Sequence, residues 1–168
     1  MELALFVTLA VISVIAAAGV VVSKKAATSA LFLLLNFCTL AGLYVLLNAP
    51  FIAVVQVIIY AGAIVVLFLF VVMLLSPGQE EGQDRKPYTK VFAAFLAVLM
   101  LVEVGYVLFT GVLGGTPGQY TPEKIAEMGN VQALGQVLFT DFLLPFELAS
   151  LLLLVGIVGA VVLAKREL

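Results

Sequence analysis

Residues 51–75 read FIAVVQVIIYAGAIVVLFLFVVMLL, a run in which Gln56 and Tyr60 carry the only polar side chains. A helix that spans the hydrocarbon core of a bilayer needs about 20 mostly apolar residues. As an unbroken helix this run would be about 37 Å long, against a core of about 30 Å. The run therefore predicts a spanning helix with excess length. Tilt, or a local irregularity at the small residues 61–63, can take up that excess.

Four further apolar runs flank this one, and each is separated from the next by polar or turn-forming residues. Glu2 rather than a basic segment precedes the first run, which is also longer than the apolar part of a signal peptide, so we expect it to be a retained helix. The five runs predict an all-α membrane protein with five transmembrane helices, in which residues 1–168 form a single membrane domain. The approximate helices are 3–22, 26–47, 51–75, 91–113 and 142–164.

Lysine and arginine placement predicts the orientation, because short cytoplasmic loops retain positive charge. With the N-terminus outside and the C-terminus cytoplasmic, seven of the eight Lys and Arg residues lie on the cytoplasmic side, and only Lys124 lies outside. We therefore expect a cytoplasmic loop at 76–90, an outer loop at 114–141 and a multi-pass location in the cell inner (plasma) membrane. Within the outer loop, Thr121 and Pro122 predict the cap and first turn of a short surface helix.

Composition excludes several classes of function. With 64% hydrophobic and 11% charged residues, the chain has far too much apolar surface for a water-soluble domain. Its net charge of -2 and dispersed basic residues do not fit a nucleic-acid interface. The chain has no histidine and one cysteine, so it lacks the usual ligand clusters for haem, zinc or an iron-sulfur cluster. We expect no cofactor or metal bound by this chain, no catalytic residue, and the lipid bilayer as its environment.

Four polar side chains in the apolar runs are candidates for function. Tyr60 is expected near mid-membrane, with Gln56 one turn earlier on the same face. Both need hydrogen-bond partners, and packing against a neighbouring helix would satisfy that need. Glu103 lies about 18 Å from the inner end of the fourth run, where a carboxyl group is costly unless it is neutral, paired or wetted. A proton relay and a hydrogen bond to another subunit both fit it. Glu147 lies near the outer start of the fifth run and is expected to be structural.

Two segments carry a family resemblance. Residues 56–75, QVIIYAGAIVVLFLFVVMLL, resemble the third-helix signature of the NADH-quinone oxidoreductase (respiratory complex I) subunit J family, which is related to mitochondrial complex I subunit 6. Residues 141–166, DFLLPFELASLLLLVGIVGAVVLAKR, resemble the fifth helix of that family. Residues 34–37 and 42–49 also resemble the family's sequences. Glu103 and the 114–136 loop do not match the family pattern.

The resemblance implies a noncatalytic membrane-arm subunit near the quinone chamber of a proton-pumping enzyme. It implies packing against the A-, H- and K-type subunits and a π-bulge around residues 60–65. The NADH site, flavin, iron-sulfur clusters and quinone site would belong to other subunits.

A change between bulged and regular helix would rotate the residues beyond the bulge. Such a rotation could interrupt or complete a water chain near Tyr60 and Glu103, and a leucine at position 62 is expected to crowd the neighbouring helix and bias one form. A static bulge, a small ion transporter or antiporter subunit using Glu103, and a structural membrane scaffold are the alternatives. The proton-path and conformational candidates are Tyr60, Gly62, Val65, Val66, Phe68 and Glu103, and Gln56 and Glu147 are structural polar candidates.

Overall fold

Helices account for every element in the described part of the chain, which in this computed structural model comprises residues 1–75, 87–110, 118 and 120–165. A nine-residue π-helical segment interrupts one of the long helices. We call the continuous unit from Pro50 to Leu75 the third helix. In chain order the elements are α1 Glu2–Val22, α2 Ala26–Leu46, α3 Pro50–Val55, the π segment Gln56–Ile64, α4 Val65–Leu75, α5 Pro87–Thr110, α6 Pro122–Met128, α7 Asn130–Phe139 and α8 Leu143–Ala164.

Five of these helical units are long and apolar enough to cross a membrane, namely α1, α2, the third helix, α5 and α8. The prediction of five spanning helices is thereby confirmed. The third helix has the excess length expected from its sequence, since it contains 26 residues. Residues 76–86 of the predicted loop 76–90 lie outside the described part of the chain, and residues 87–90 belong to α5, which begins at Pro87. The last three residues of the predicted span 91–113 also lie outside the described part.

Helix α2 is the centre of the packed part of the molecule. It packs against α1 on one side and against α3, the π segment and α4 on the other. Small buried side chains allow α1 and α2 to approach closely, with Ala16 on α1 and Ala30 on α2 almost fully covered. Gly19 lies against the ring of Phe32, which a Cβ atom at position 19 would approach to 2.6 Å. Only a glycine allows this close contact.

The two remaining spanning helices have few neighbours. Among the described residues, no other helix packs against α5, and α8 packs only against α7. The side chains of both helices are exposed along their apolar lengths. In a bilayer such faces contact either lipid or another protein chain.

The segment expected to be an outer loop contains two short helices. Thr121 caps α6, as predicted, because its side-chain oxygen accepts a hydrogen bond from the backbone N–H of Lys124 at 3.4 Å. The sequence reading missed α7, Asn130–Phe139, which is amphipathic and buries Ala133. Asn130 Nδ2 donates to the carbonyl oxygen of Asn48 at 3.3 Å. This contact holds α7 beside the turn that begins the third helix.

Candidate functional site in the third helix

The turn before the third helix fixes where that helix begins. Asn48 adopts a positive φ of 57°, a left-handed conformation that asparagine tolerates better than most residues. Pro50 then occupies the first helical turn, where its missing N–H would have had no intrahelical partner. This tight turn sets the third helix antiparallel to α2.

The π segment changes the register of the third helix on α2. The backbone N–H of Val65 donates to the carbonyl oxygen of Tyr60, five residues earlier, where an α-helix would use the residue four earlier. The buried positions of the helix are Ala53, Gln56, Ala61 and Val65, so the step from Gln56 to Ala61 is five residues. A π turn therefore keeps one face of the helix against α2 while it accommodates one additional residue.

The π segment was expected around residues 60–65, but it begins four residues earlier, at Gln56, and ends at Ile64. The expectation that Gln56 and Tyr60 share a face assumed regular α-helical spacing. In the π segment Ala61 follows Gln56 on the buried face, whereas Tyr60 is 44% exposed. Gln56 is 8% exposed, and its amide makes no hydrogen bond to the described residues.

An aromatic contact links Tyr60 to α2. Its ring meets the ring of Phe37 edge to face, with the centroids 5.3 Å apart. Edge-to-face pairs place the positive ring edge on the negative ring face and contribute about 0.5–1.5 kcal/mol beyond the burial of area. Phe37 was not singled out from the sequence as a site residue, because nothing in a uniformly apolar helix shows which side chain faces Tyr60.

Gly62 lies inside the π segment and is exposed. A Cβ atom at this position would lie 3.3 Å from the carbonyl oxygen of Val57, and no other helix of the described chain lies within 4 Å of it. The expectation that a leucine at position 62 would crowd a neighbouring helix is therefore wrong within this chain. The first contact of a side chain here is with the backbone of the π turn itself.

The three apolar candidates beyond the π segment differ in burial. Val65 is 2% exposed and packs in the core, whereas Val66 and Phe68 are exposed. Only Val65 of the three is thus held by the helices of this chain. Val66 and Phe68 face the surroundings of the chain.

Helix α2 is itself anchored to α1 by polar contacts within the apolar runs. Asn36 Nδ2 donates to the carbonyl oxygen of Ser13 at 2.8 Å and to its hydroxyl oxygen at 2.9 Å. The Ser29 hydroxyl donates to the carbonyl oxygen of Val20 at 2.7 Å. Asn36 directly precedes Phe37, so the residue that holds α2 on α1 adjoins the residue that contacts Tyr60. The sequence contained a signal for this contact, a serine and an asparagine in facing apolar runs.

The two carboxylate candidates lie away from the third helix. Glu103 is exposed on α5 and Glu147 is exposed in the first half of α8. Neither side chain makes a hydrogen bond or ion pair with the described residues. The structure thus brings Tyr60, Gly62 and Val65 together in one helix and does not join Glu103 to them.

Among the described residues, no group of three or more His, Cys, Asp or Glu side chains could hold a metal ion. The one cysteine, Cys38, is a free thiol exposed on α2. The site is therefore made of backbone, aromatic and aliphatic groups.

Comparison with known proteins decides the family. The family model for NADH-ubiquinone/plastoquinone oxidoreductase chain 6 matches residues 16–163. The chain belongs to this family. The resemblance to complex I subunit J drawn from residues 56–75 and 141–166 is thereby confirmed.

Curated relatives with different electron donors in their names are similar to this subunit. It is 42% identical to the NAD(P)H-quinone oxidoreductase chain 6 of Nostoc sp., over 90% of this chain and 73% of the relative. It is 39% identical to the F(420)H(2) dehydrogenase subunit J of Methanosarcina mazei, over 99% and 93%. It is 33% identical to the NADH-quinone oxidoreductase subunit J of Rickettsia bellii, over 97% and 78%.

Proposed function

We propose that this chain is a noncatalytic membrane-arm subunit of a proton-pumping NADH:quinone oxidoreductase, in which a conformationally adaptable third helix helps to couple quinone reduction to proton translocation. The observation that carries the proposal is the nine-residue π segment inside a spanning helix. π segments in α-helices are rare and occur frequently at functional sites.

The mechanism follows from the register of the third helix. If the helix were regular from Gln56 onward, Tyr60 would occupy the place on α2 that Ala61 now fills. Loss of the additional residue rotates everything beyond it by about 100°, one residue's step of an α-helix. Tyr60 is much larger than Ala61, so the regular form requires the third helix and α2 to change their packing. The two forms are therefore distinct packed states.

The same rotation changes which side chains line the far half of the helix. Ile64, now 47% exposed, would take the buried place of Val65, and Val65 would take the exposed place of Val66. Phe68, now exposed, would move into the half-buried place of Leu69. These apolar side chains would then close or open a water-filled gap beside Tyr60. Protons would cross in one state only, while quinone reduction in the neighbouring subunits selects the state.

The electron donor is the least specific part of the proposal. The names of the three relatives include NAD(P)H, F(420)H(2) and NADH. This chain is nevertheless 33–42% identical to each of these relatives. This supports a role on the quinone and proton side of the complex. NADH is proposed because the matching family is named for it.

We propose that flavin, iron-sulfur clusters and the NADH and quinone sites lie in other subunits, and that the A-, H- and K-type subunits are the neighbours. The chain has no histidine, one cysteine and no glycine-rich dinucleotide fingerprint of the Gly-x-Gly-x-x-Gly type. The isolated chain is accordingly expected neither to oxidise NADH nor to reduce quinone. Activity retained by the purified single chain would overturn this part of the proposal.

The proposed topology has the N-terminus outside, the C-terminus in the cytoplasm and the chain in the cell inner membrane. It rests on the seven-to-one distribution of Lys and Arg residues. In a Cys38→Ser background, a cysteine at Gln83 should react with an impermeant thiol reagent only from the cytoplasmic side. A cysteine at Glu127, which is exposed on α6, should react only from outside. Labelling of both positions from the same side would contradict the span count.

One observation favours a second candidate, a small ion transporter or antiporter subunit. Glu103 lies within a spanning helix and has no partner among the described residues, as expected of an ion-binding carboxylate. Purification from native membranes separates the candidates. Co-purification with flavin and iron-sulfur subunits supports the complex I proposal, whereas ion transport by the chain alone in liposomes supports the transporter. Neither result would leave only a structural scaffold.

A further inference from the structure

A polar stripe runs along the outer half of α5. Glu103, Tyr106 and Thr110 are three and four residues apart, the spacing that places side chains on one face of an α-helix. All three are exposed, with Tyr106 66% exposed. The hydroxyl of Thr110 donates to the carbonyl of Tyr106 within the same helix at 2.8 Å. Glu103 has no hydrogen bond or ion pair with any described residue.

A carboxyl group at this depth is costly unless it is neutral, paired or wetted. Glu103 lies within the spanning segment Val91–Thr110, about 18 Å from its first residue and about 10 Å from its last. Ionisable side chains inside a membrane are costly and normally face a protein interior or a water-filled cavity, where they pair with other groups. Lipid cannot supply such a partner in the hydrocarbon region.

Among the residues that the structure describes, none supplies the countercharge. Its eight Lys and Arg residues all lie outside the apolar cores of the five runs. The nearest along α5 is Lys90, thirteen residues or about 20 Å from Glu103. No other described helix packs against α5, so none brings a cation to the stripe. A helix of a different chain can place a cation beside Glu103.

We propose that the Glu103, Tyr106 and Thr110 stripe is the docking face for a transmembrane helix of another subunit of the complex, and that this helix carries a lysine or arginine paired with Glu103. Tyr106 and Thr110 offer hydroxyl groups beside the ion pair, which can satisfy the remaining hydrogen-bonding groups of the cation. This assignment rests on the proposed membership of a multi-subunit complex, but it does not depend on a switch in the third helix. It gives Glu103 a fixed partner instead of a place in the proton path.

Site-specific crosslinking in the assembled complex finds the partner. A photocrosslinking amino acid at Tyr106 should form an adduct with one other subunit, in a spanning peptide that contains Lys or Arg. The same amino acid at Leu101, on the opposite face of α5, is the matched control and should not label that peptide. An adduct with lipid alone, or with a helix that lacks a cation, would overturn the proposal.

A lipid-soluble carbodiimide tests the pairing, because it modifies protonated carboxyl groups that are accessible from the membrane. Dicyclohexylcarbodiimide should leave Glu103 unmodified in the intact complex and modify it after detergent has dissociated the subunits, as read from the mass of its peptide. Modification in the intact complex would overturn the pairing and favour a protonated, lipid-facing or proton-carrying Glu103. Failure of the chain to purify with any complex would instead reject the proposed function itself.

A double-mutant cycle completes the test. Replacement of one member of a buried ion pair leaves the other charge uncompensated, whereas replacement of both is tolerated. Glu103→Leu should therefore lower the yield of assembled complex about tenfold or more, and the added replacement of the partner's cation by Met should restore most of it. Glu103→Gln, which keeps a hydrogen-bonding group, should fall between wild type and Glu103→Leu. Equal yields for wild type and Glu103→Leu would contradict the proposal.

Discussion

The rings of Phe37 on α2 and Tyr60 in the π segment meet edge to face at an interplanar angle of 63°. We expect Tyr60→Phe to keep this contact, and Tyr60→Leu and Phe37→Leu each to lose about 1 kcal/mol beyond the loss of buried area. The measurement is the free energy of unfolding of the chain in detergent micelles. Because the two residues share one contact, the double Leu variant should be less destabilised than the sum of the single variants. Additive losses would mean that the rings do not interact.

Asn36 should contribute more to the α1 and α2 pair than Ser13 does. Asn36→Leu removes both hydrogen bonds to Ser13, whereas Ser13→Ala leaves the bond to the backbone carbonyl in place. Interhelical hydrogen bonds in membranes contribute about 0.6 kcal/mol on average and up to about 1.7 kcal/mol. Unfolding in micelles should rank Asn36→Leu as the more damaging change. Thr8→Ala is the control, since the Thr8 hydroxyl bonds only within its own helix at Ala4, and it should have little effect.

A side chain at position 19 should separate α1 from α2. The ring of Phe32 lies 2.6 Å from the place of a Cβ atom at Gly19, so even Gly19→Ala forces a movement of that ring or of the helices. Gly156→Ala in α8 is the matched control, because no atom of the described chain lies within 4 Å of its Cβ position. In a Cys38→Ser background, disulfide formation between cysteines placed at Ser13 and Asn36 reports the helix separation. It should slow in the Gly19→Ala background and stay unchanged with Gly156→Ala.

Low pH should loosen the start of α6. The pKa of Glu123 lies below its ordinary value of 4.5, because the carboxylate accepts hydrogen bonds from its own backbone N–H and from the side chain of Thr121. A depressed pKa in the folded state means that this stabilisation is fully present above about pH 4.5. It is lost as the pH falls through the lower, folded-state pKa. The backbone amide NMR shifts of Glu123 and Lys124, in the capped first turn, should follow this loss in wild type, and Glu123→Gln should remove the dependence that the Glu123 carboxylate causes. An identical pH response in Glu123→Gln would contradict the assignment.

The sequence predicted the spanning helices well because hydrophobic length is a physical requirement of the bilayer. The cap at Thr121 was equally readable, since it depends on residues adjacent in the chain. Which face of each helix is buried could not be predicted from the sequence. The third helix carries apolar side chains on every face, so no hydrophobic periodicity shows that Ala61 rather than Tyr60 is buried. The start of the π segment at Gln56 and the Phe37 contact both depend on packing against α2.

Helix α7 was not predicted from the sequence for a different reason. The segment 130–139 is short and follows Gly129, whose φ of 95° interrupts the helical conformation between α6 and α7. A glycine in this position favours the prediction that the loop continues. The helix is stabilised by burial of Ala133 and by the contact between Asn130 and Asn48, which are 82 positions apart. Such long-range contacts are not visible in a local pattern.

Substitutions at Tyr60 and Gly62 should change the coupling of quinone reduction to proton translocation without preventing assembly of the complex. A side chain at Gly62 presses on the carbonyl oxygen of Val57, a contact made by the π turn, so Gly62→Leu should favour the regular helix. Tyr60→Phe keeps the ring contact with Phe37 and removes only the hydroxyl group. We expect fewer protons translocated per pair of electrons in membranes where either variant complex is fully assembled. A normal ratio and a normal turnover rate for both would exclude the switch and leave the family assignment untouched.

Deletion of Ile58 tests the switch most directly. It shortens the step from Gln56 to Ala61 to four residues, so a regular α-helix keeps Ala53, Gln56, Ala61 and Val65 on α2 and the π turn is no longer needed. The measurement is the number of protons translocated per pair of electrons delivered to quinone, in membranes with normal amounts of assembled complex. If the change between the two forms drives coupling, the deletion variant reduces quinone while its proton ratio falls. A wild-type ratio at a wild-type rate would show that the π segment is static packing and would contradict the account.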